Sequence, residues 1–226
     1  MNYGIFNNFS SWLLETLYMI PAIIIGLSLH EYAHAKVADL CGDPTPRYMG
    51  RVTVDPKAHI DWYGLLCLLL IHFGWGKPVV VNPYNFKKQR RDSIFVGLAG
   101  VTMNFAVAVV FSGILKLISL FGLKFMASSL GHIICRVLLE IVVVNLSLLF
   151  FNLLPIPPLD GFGVICEIFN LYNTKFYNFV SRYYMYIMMA LILLRIPSRL
   201  LSMPLNLTAN FLLTTVFKVP YWWAFL

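Results

Sequence analysis

The chain has 226 residues, of which 59% are hydrophobic and 12% are charged, and its formal net charge is +7. Soluble domains contain about 25% charged residues, so this composition excludes an ordinary soluble domain and indicates a multi-pass membrane protein. The basic residues lie in short loops between apolar runs. That distribution favours contact with a lipid bilayer and its anionic headgroups and argues against nucleic acid as a partner.

The first predicted helix covers residues 11–39 and is expected to stay as a membrane anchor. The first ten residues contain no Lys or Arg, so the positively charged start of a cleavable signal peptide is missing. A Gly-Asp-Pro sequence at residues 42–44 is expected to end the helix. The four cysteines form no C-x-x-C pair and are interpreted as packing residues.

Towards the end of this helix the sequence reads His30-Glu31-Tyr32-Ala33-His34. Positions four apart lie on one face of a helix, so His30 and His34 can bind one Zn²⁺. Glu31 can then act as the general base of a hydrolytic reaction. The alternative is a helix with two packed histidines and a solvent-facing glutamate. Polar side chains of this kind beside hydrocarbon are costly without a metal, a partner or a polar cavity, which weakens that alternative.

The following stretch is predicted to lie at one membrane surface. Residues 48–56, ending at a proline, and residues 77–83 have the pattern of two short strands, and they are predicted to pair as a β ribbon. Residues 62–76 are apolar but too few for a span, so they are predicted to form a re-entrant or interfacial piece. Both features would lie close to the H-E-x-x-H sequence.

Two further spans are predicted from long apolar runs. Residues 94–115 contain no charged residue and are the clearest span in the chain. Residues 130–153 form the next one and contain Arg136 and Glu140, whose spacing of four allows an ion pair near one membrane edge. Prolines at positions 155, 157 and 158 are expected to break the chain out of the helix.

The predicted fold is a membrane all-α protein, a multi-pass bundle of about four to six transmembrane helices with a short β ribbon and a re-entrant segment near the active site. Apolar runs at residues 179–194 and 200–217 supply the last helices. Residues 1–226 are interpreted as a single membrane-embedded domain. Its core is residues 11–165, and its C-terminal helices lie within residues 179–217.

The loops also predict how the chain is oriented. Residues 45–92 hold eight Lys and Arg residues in short connections, which marks that side as cytoplasmic and leaves the N-terminus outside. Counting spans from there brings Asp160 to the cytoplasmic side, at the same level as His30 and His34. A catalytic zinc keeps three protein ligands, and Asp160 is the natural third. The alternative for Asp160 is a turn aspartate before glycine.

A second signature accompanies the first. The sequence N-x-x-P-x-P-x-L-D-G is complete, with Asn152 at its start and Asp160 near its end, and Gly100-x-x-x-Asn104 precedes it. Together with H-E-x-x-H in this order, these motifs resemble the site-2 protease family of intramembrane zinc metalloproteases, in particular small bacterial members without PDZ or CBS modules. The resemblance covers about residues 20–165.

The resemblance implies hydrolysis of peptide bonds in or near transmembrane segments of membrane proteins. It implies one Zn²⁺ per chain bound by His30, His34 and Asp160, with Glu31 as the catalytic base. Asn104 and Asn152 would match polar positions that hydrogen-bond the substrate backbone or the oxyanion, and they complete the candidate site (His30, Glu31, His34, Asn104, Asn152, Asp160). The substrate would be a membrane protein or a signal-peptide remnant, and nothing indicates an oligomer.

Two other functions are considered. One is a catalytically silent zinc-binding scaffold or binder of the same fold, which would have no need for Glu31. The other is a small transporter, which inverted repeats would support, and the sequence contains no such repeat.

Overall fold

The computed structural model describes residues 9–71, 74–194 and 196–222, and the regular elements within them are all helical. A 3₁₀ turn lies at Pro83–Asn85 and a π-helical turn at Phe211–Val216. The α helices are α1 (Phe9–Cys41), α2 (Thr45–Tyr48), α3 (Pro56–His59), α4 (Trp62–Ile71), α5 (Gln89–Ser119), α6 (Leu123–Met126), α7 (Ser129–Asn152), α8 (Asp160–Phe169), α9 (Lys175–Leu193) and α10 (Ile196–Asn210).

Three of these helices, α1, α5 and α7, are long and apolar enough to cross a membrane. Even α7, with 24 residues, has a length of about 36 Å, more than the roughly 30 Å of a hydrocarbon core. The three helices pack together through Ala22, Val107 and Ile141, one from each. Gly26 allows α1 to approach α7 closely, because a Cβ there would lie 2.8 Å from Leu148 Cδ1.

The C-terminal helices pack on this bundle. Ala209 and Leu212 are buried against Leu146 of α7. The sequence predicted about four to six spans, and that number is not confirmed, since the described residues contain three candidate spans. The difference arises because Lys175 and Arg182 reduce the hydropathy of α9, and α10 has only 15 residues.

The segment predicted as re-entrant contains α4, and its relation to the membrane stays a prediction. This helix has 10 residues and a length of about 15 Å, half of what a span requires. Residues 72 and 73 lie outside the described residues. Beyond them the chain returns to its starting point, because Trp75 O lies directly against Gly64 and the Lys77 N–H donates to His59 O at 2.7 Å.

The predicted β ribbon is wrong in the described residues, which contain no strand. Thr45–Tyr48 is helical instead, and the backbone after it is irregular. The side chain of Arg51 explains why the predicted strands do not pair. Arg51 donates to the carbonyl oxygen of Ala58 in α3 and to those of Lys77 and Pro78, so two acceptors of the second predicted strand are occupied by a guanidinium. The two segments therefore lie close together without forming a ladder.

Candidate metal centre

Two distant parts of the chain meet at the predicted ligands. His30 and His34 lie one turn apart on α1, are 5% and 9% exposed, and bring their Nε2 atoms to 3.1 Å from each other. Asp160, the first residue of α8, places Oδ2 at 3.3 Å from His30 Nε2 and 3.2 Å from His34 Nε2. The structure thus brings His30, His34 and Asp160 together as one cluster.

The outer nitrogens of both imidazoles have acceptors. His30 Nδ1 lies 3.2 Å from Asn104 Oδ1, and His34 Nδ1 lies 2.7 Å from the carbonyl oxygen of Val96. A carbonyl oxygen can only accept, so both Nδ1 atoms carry the proton. The Nε2 atom of each ring then faces Asp160 Oδ2. Three acceptor atoms this close need a cation between them, either protons or a metal ion.

The dimensions of the cluster suit a metal ion. Ligand atoms bound to zinc at about 2.0–2.1 Å with tetrahedral angles are separated from one another by about 3.3–3.4 Å. The three distances among the two Nε2 atoms and Asp160 Oδ2 are 3.1, 3.2 and 3.3 Å. Asp160 Oδ2 is buried and has no hydrogen-bond donor among the described residues. Burial acts to raise the pKa of Asp160, but the contacts with His30 and His34 outweigh it and lower that pKa below its usual range. An ionised carboxylate beside two imidazoles is a donor set that zinc accepts.

Helix α5 forms the wall behind the two imidazoles. A Cβ at Gly100 would clash with atoms of His30 and His34, so only glycine lets α5 approach α1 this closely. The cluster thus depends on a residue that has no side chain.

Replacing Gly100 by alanine is expected to lower bound zinc at least about tenfold, because the added methyl group displaces both imidazoles. Zinc content of the purified variant, measured by atomic absorption, checks this. Gly163→Ala is the matched control, since a Cβ at Gly163 meets nothing within 4 Å. Equal zinc content in both variants would contradict the close contact at Gly100.

Glu31 lies beside the cluster and faces a different partner. Its Oε2 accepts a hydrogen bond from the Val79 N–H at 3.1 Å. Val79 belongs to residues 77–82, which lie in neither a helix nor a strand and which we call the 77–82 segment. Gly76, just before that segment, packs close to the carboxyl group, since a Cβ there would lie 3.8 Å from Glu31 Oε1. The carboxylate is therefore held by backbone near the predicted ligands.

A cavity of about 1480 Å³ opens onto these residues. Its lining includes both histidines, Glu31 and Asp160, and most of the other lining side chains are apolar. Helices α9 and α10 contribute to the wall (Tyr184, Met188, Leu201, Leu205). This volume is large compared with a typical small-molecule pocket of about 300–1,000 Å³, and it can hold a stretch of polypeptide.

Comparison with known proteins places the chain in a family. The model of Peptidase family M50 matches residues 18–195, which is more than half of the chain. The chain belongs to peptidase family M50. The predicted resemblance to the site-2 protease family is thereby confirmed, and so is the prediction of a metalloprotease of that kind.

Relatives of this M50 chain include "Putative zinc metalloprotease YwhC" of Bacillus subtilis, 37% identical over 149 residues, or 66% of this chain and 67% of that protein. "Putative zinc metalloprotease Rip2" of Mycobacterium tuberculosis is 29% identical over 153 residues, or 65% of this chain and 55% of that protein. The chain thus spans about half the length of the mycobacterial relatives. No solved structure matches the chain significantly.

The two asparagines of the predicted site have different positions in this M50 chain. Asn104 is fully buried behind His30, and its Nδ2 has no hydrogen-bond partner among the described residues. Asn152 lines the cavity, and its Nδ2 donates to Leu148 O at 3.0 Å. Asn152 can therefore meet a substrate directly, whereas Asn104 contacts a predicted metal ligand.

Some residues at the site were missed by the sequence reasoning. The carbonyl oxygen of Val96 orients His34. Contacts of backbone groups cannot be predicted from the pattern of residue types. The Val79 N–H that donates to Glu31 is of the same kind. Arg51 was counted only among the eight basic residues of the 45–92 loops, although a basic residue inside a predicted strand was a usable signal.

Proposed function

We propose that this M50 chain is a zinc-dependent endopeptidase that hydrolyses peptide bonds in or near transmembrane segments. The observation that carries the proposal is the meeting of His30, His34 and Asp160 beside Glu31 in one apolar cavity. That cavity is walled in part by helices long enough to cross a membrane. Such a site combines hydrolytic residues with an environment that accepts an apolar polypeptide.

Zinc is the metal best suited to the donor set. One ion per chain, bound by His30, His34 and Asp160, would supply Lewis acidity to the scissile carbonyl. The Bacillus and mycobacterial relatives are named as zinc metalloproteases, which supports the same choice. Asn104 fixes the ring of His30 by accepting from Nδ1, so that Nε2 faces Asp160 and would be available to the ion.

Glu31 is the proposed general base. It would take a proton from the attacking water and return it to the leaving amine. The Val79 N–H engages Oε2, which leaves Oε1 to accept that proton. Asn152 is proposed to hydrogen-bond the substrate backbone or the oxyanion, because it lines the cavity and its Nδ2 is held by Leu148 O.

The site is proposed to lie near the cytoplasmic side of the cell membrane, with the N-terminus outside. The charge rule supports this orientation, since the basic loops lie between α1 and α5. Helices α9 and α10, the latter extended by its π turn, are each long enough to bring the spans to the four to six predicted. Substrates would be membrane proteins or signal-peptide remnants that enter from the bilayer.

The proposal is tested with the full chain purified in detergent and a set of membrane-spanning peptides. Cleavage is expected in the presence of zinc, complete loss after a zinc chelator, and recovery when zinc is restored. Mass spectrometry of the products locates the cut. A chain that binds zinc but cleaves none of the peptides would favour the catalytically silent scaffold.

A further inference from the structure

Arg51 is an unusual residue for its position. It is 7% exposed, and its guanidinium keeps its charge in proteins. None of the ion pairs found among the described residues includes it. A buried cation normally has a carboxylate partner, so the interactions that Arg51 does make call for an explanation.

The partners of Arg51 are backbone carbonyl oxygens from two segments. Nη1 donates to Ala58 O and, at 3.3 Å, to Lys77 O, while Nη2 donates to Pro78 O at 3.3 Å. The guanidinium therefore joins α3 to the start of the 77–82 segment. A second link runs beside it, from the Lys77 N–H to His59 O at 2.7 Å.

One peptide unit connects Arg51 to the candidate base. Pro78 O and Val79 N belong to the same peptide group, and the Val79 N–H donates to Glu31 Oε2 at 3.1 Å. In a trans peptide the C=O and N–H bonds point in opposite directions. Arg51 and Glu31 thus lie at opposite edges of one peptide group. A cation at the carbonyl oxygen polarises the plane and makes its N–H a stronger donor.

The far end of the 77–82 segment is also fixed. Asp43 Oδ2 accepts from the Asn82 N–H at 2.7 Å, and Oδ1 accepts from Asn85 Nδ2 at 2.8 Å. Burial acts to raise the pKa of Asp43, but the donors from Thr45, Asn85 and Asn82 outweigh it and hold that pKa below its usual range. With both ends anchored, the Val79 N–H has a defined direction.

We propose that Arg51 is a positioning residue for the reaction, acting through the Pro78–Val79 peptide to hold and strengthen the hydrogen bond on Glu31. This inference rests on the proposed peptidase function, in which Glu31 is the general base. It predicts that loss of the guanidinium lowers the rate of the chemical step and leaves substrate binding and zinc content nearly unchanged. A residue that only stabilised the loop would change thermal stability and KM along with kcat.

The test uses full-length wild type, Arg51→Gln and Arg51→Lys with a transmembrane peptide that wild type cleaves and Glu31→Gln does not. For Arg51→Gln, kcat is expected to fall about 10- to 100-fold, with KM within about threefold of wild type and zinc retained. Arg51→Lys keeps the charge but lacks the planar fork of the guanidinium, so its kcat should lie between those of wild type and Arg51→Gln. Arg47→Gln is the matched control, since Arg47 is exposed and paired with Asp39 at 2.6 Å.

A double-mutant cycle separates positioning from general stability. Val79→Pro removes the N–H that donates to Glu31. If Arg51 acts through that N–H, adding Arg51→Gln to Val79→Pro causes little further loss of kcat. Independent effects that multiply would overturn the inference, and so would an Arg51→Gln kcat within about twofold of wild type. If Arg51→Gln does not fold, a wild-type kcat in Arg51→Lys overturns it instead. These outcomes leave the proposed function standing, which fails only if wild type and Glu31→Gln behave alike.

Discussion

Glu31→Gln is expected to abolish most peptide cleavage while the chain keeps its zinc. The amide cannot take up a proton from water, and general-base catalysis contributes about 100- to 10,000-fold to such reactions, so kcat should fall by that range. The ligands His30, His34 and Asp160 are unchanged, and glutamine has nearly the same shape as glutamate. The Val79 N–H can still donate to the amide oxygen, so the 77–82 segment should stay in place.

Parallel measurement of kcat and zinc content on the same preparation checks this result. Asp55→Asn serves as a control for removing a carboxylate, because Asp55 is exposed and only caps α3. Cleavage by Glu31→Gln at the wild-type rate would refute the role assigned to Glu31. Loss of zinc in this variant would instead assign Glu31 to the metal site.

Asp160→Ala is expected to lose both zinc and activity. Its carboxylate completes the triangle with His30 and His34, and removing it leaves two imidazoles to hold the ion. Zinc affinity should fall by more than about 100-fold, since even outer partners of metal ligands are worth about 10- to 100-fold. Competition with a zinc-binding dye measures the affinity. A wild-type affinity in Asp160→Ala would show that the third ligand lies elsewhere.

The sequence predicted those parts of the site whose positions follow from helical periodicity or from the number of membrane spans. His30 and His34 are four apart on one helix, and helical periodicity alone puts them on one face. Asp160 is far away in sequence, yet counting spans predicts that it lies on the same side of the membrane as His30 and His34. Its distances of 3.2 and 3.3 Å to the imidazoles agree with that count.

The parts that failed depend on long side chains and on packing. The β ribbon was predicted from strand-like residues, but Arg51 occupies the carbonyl oxygens that pairing would need. The contact of Asn104 with substrate stays a prediction, but its position on α5 behind His30, next to the close approach of Gly100 to both imidazoles, was not predicted. The pattern of residue types does not show which distant carbonyl oxygens a guanidinium contacts, nor how closely two helices approach.

The central claim is that one metal ion is bound by His30, His34 and Asp160, and X-ray absorption at the zinc edge tests it most directly. For the purified wild-type chain we predict a first shell of nitrogen and oxygen at about 2.0–2.1 Å with the outer-ring scattering of two imidazoles. In Asp160→Ala that spectrum should be lost together with the ion. A shell containing sulfur at about 2.3 Å, or one without imidazole scattering, would contradict the claim.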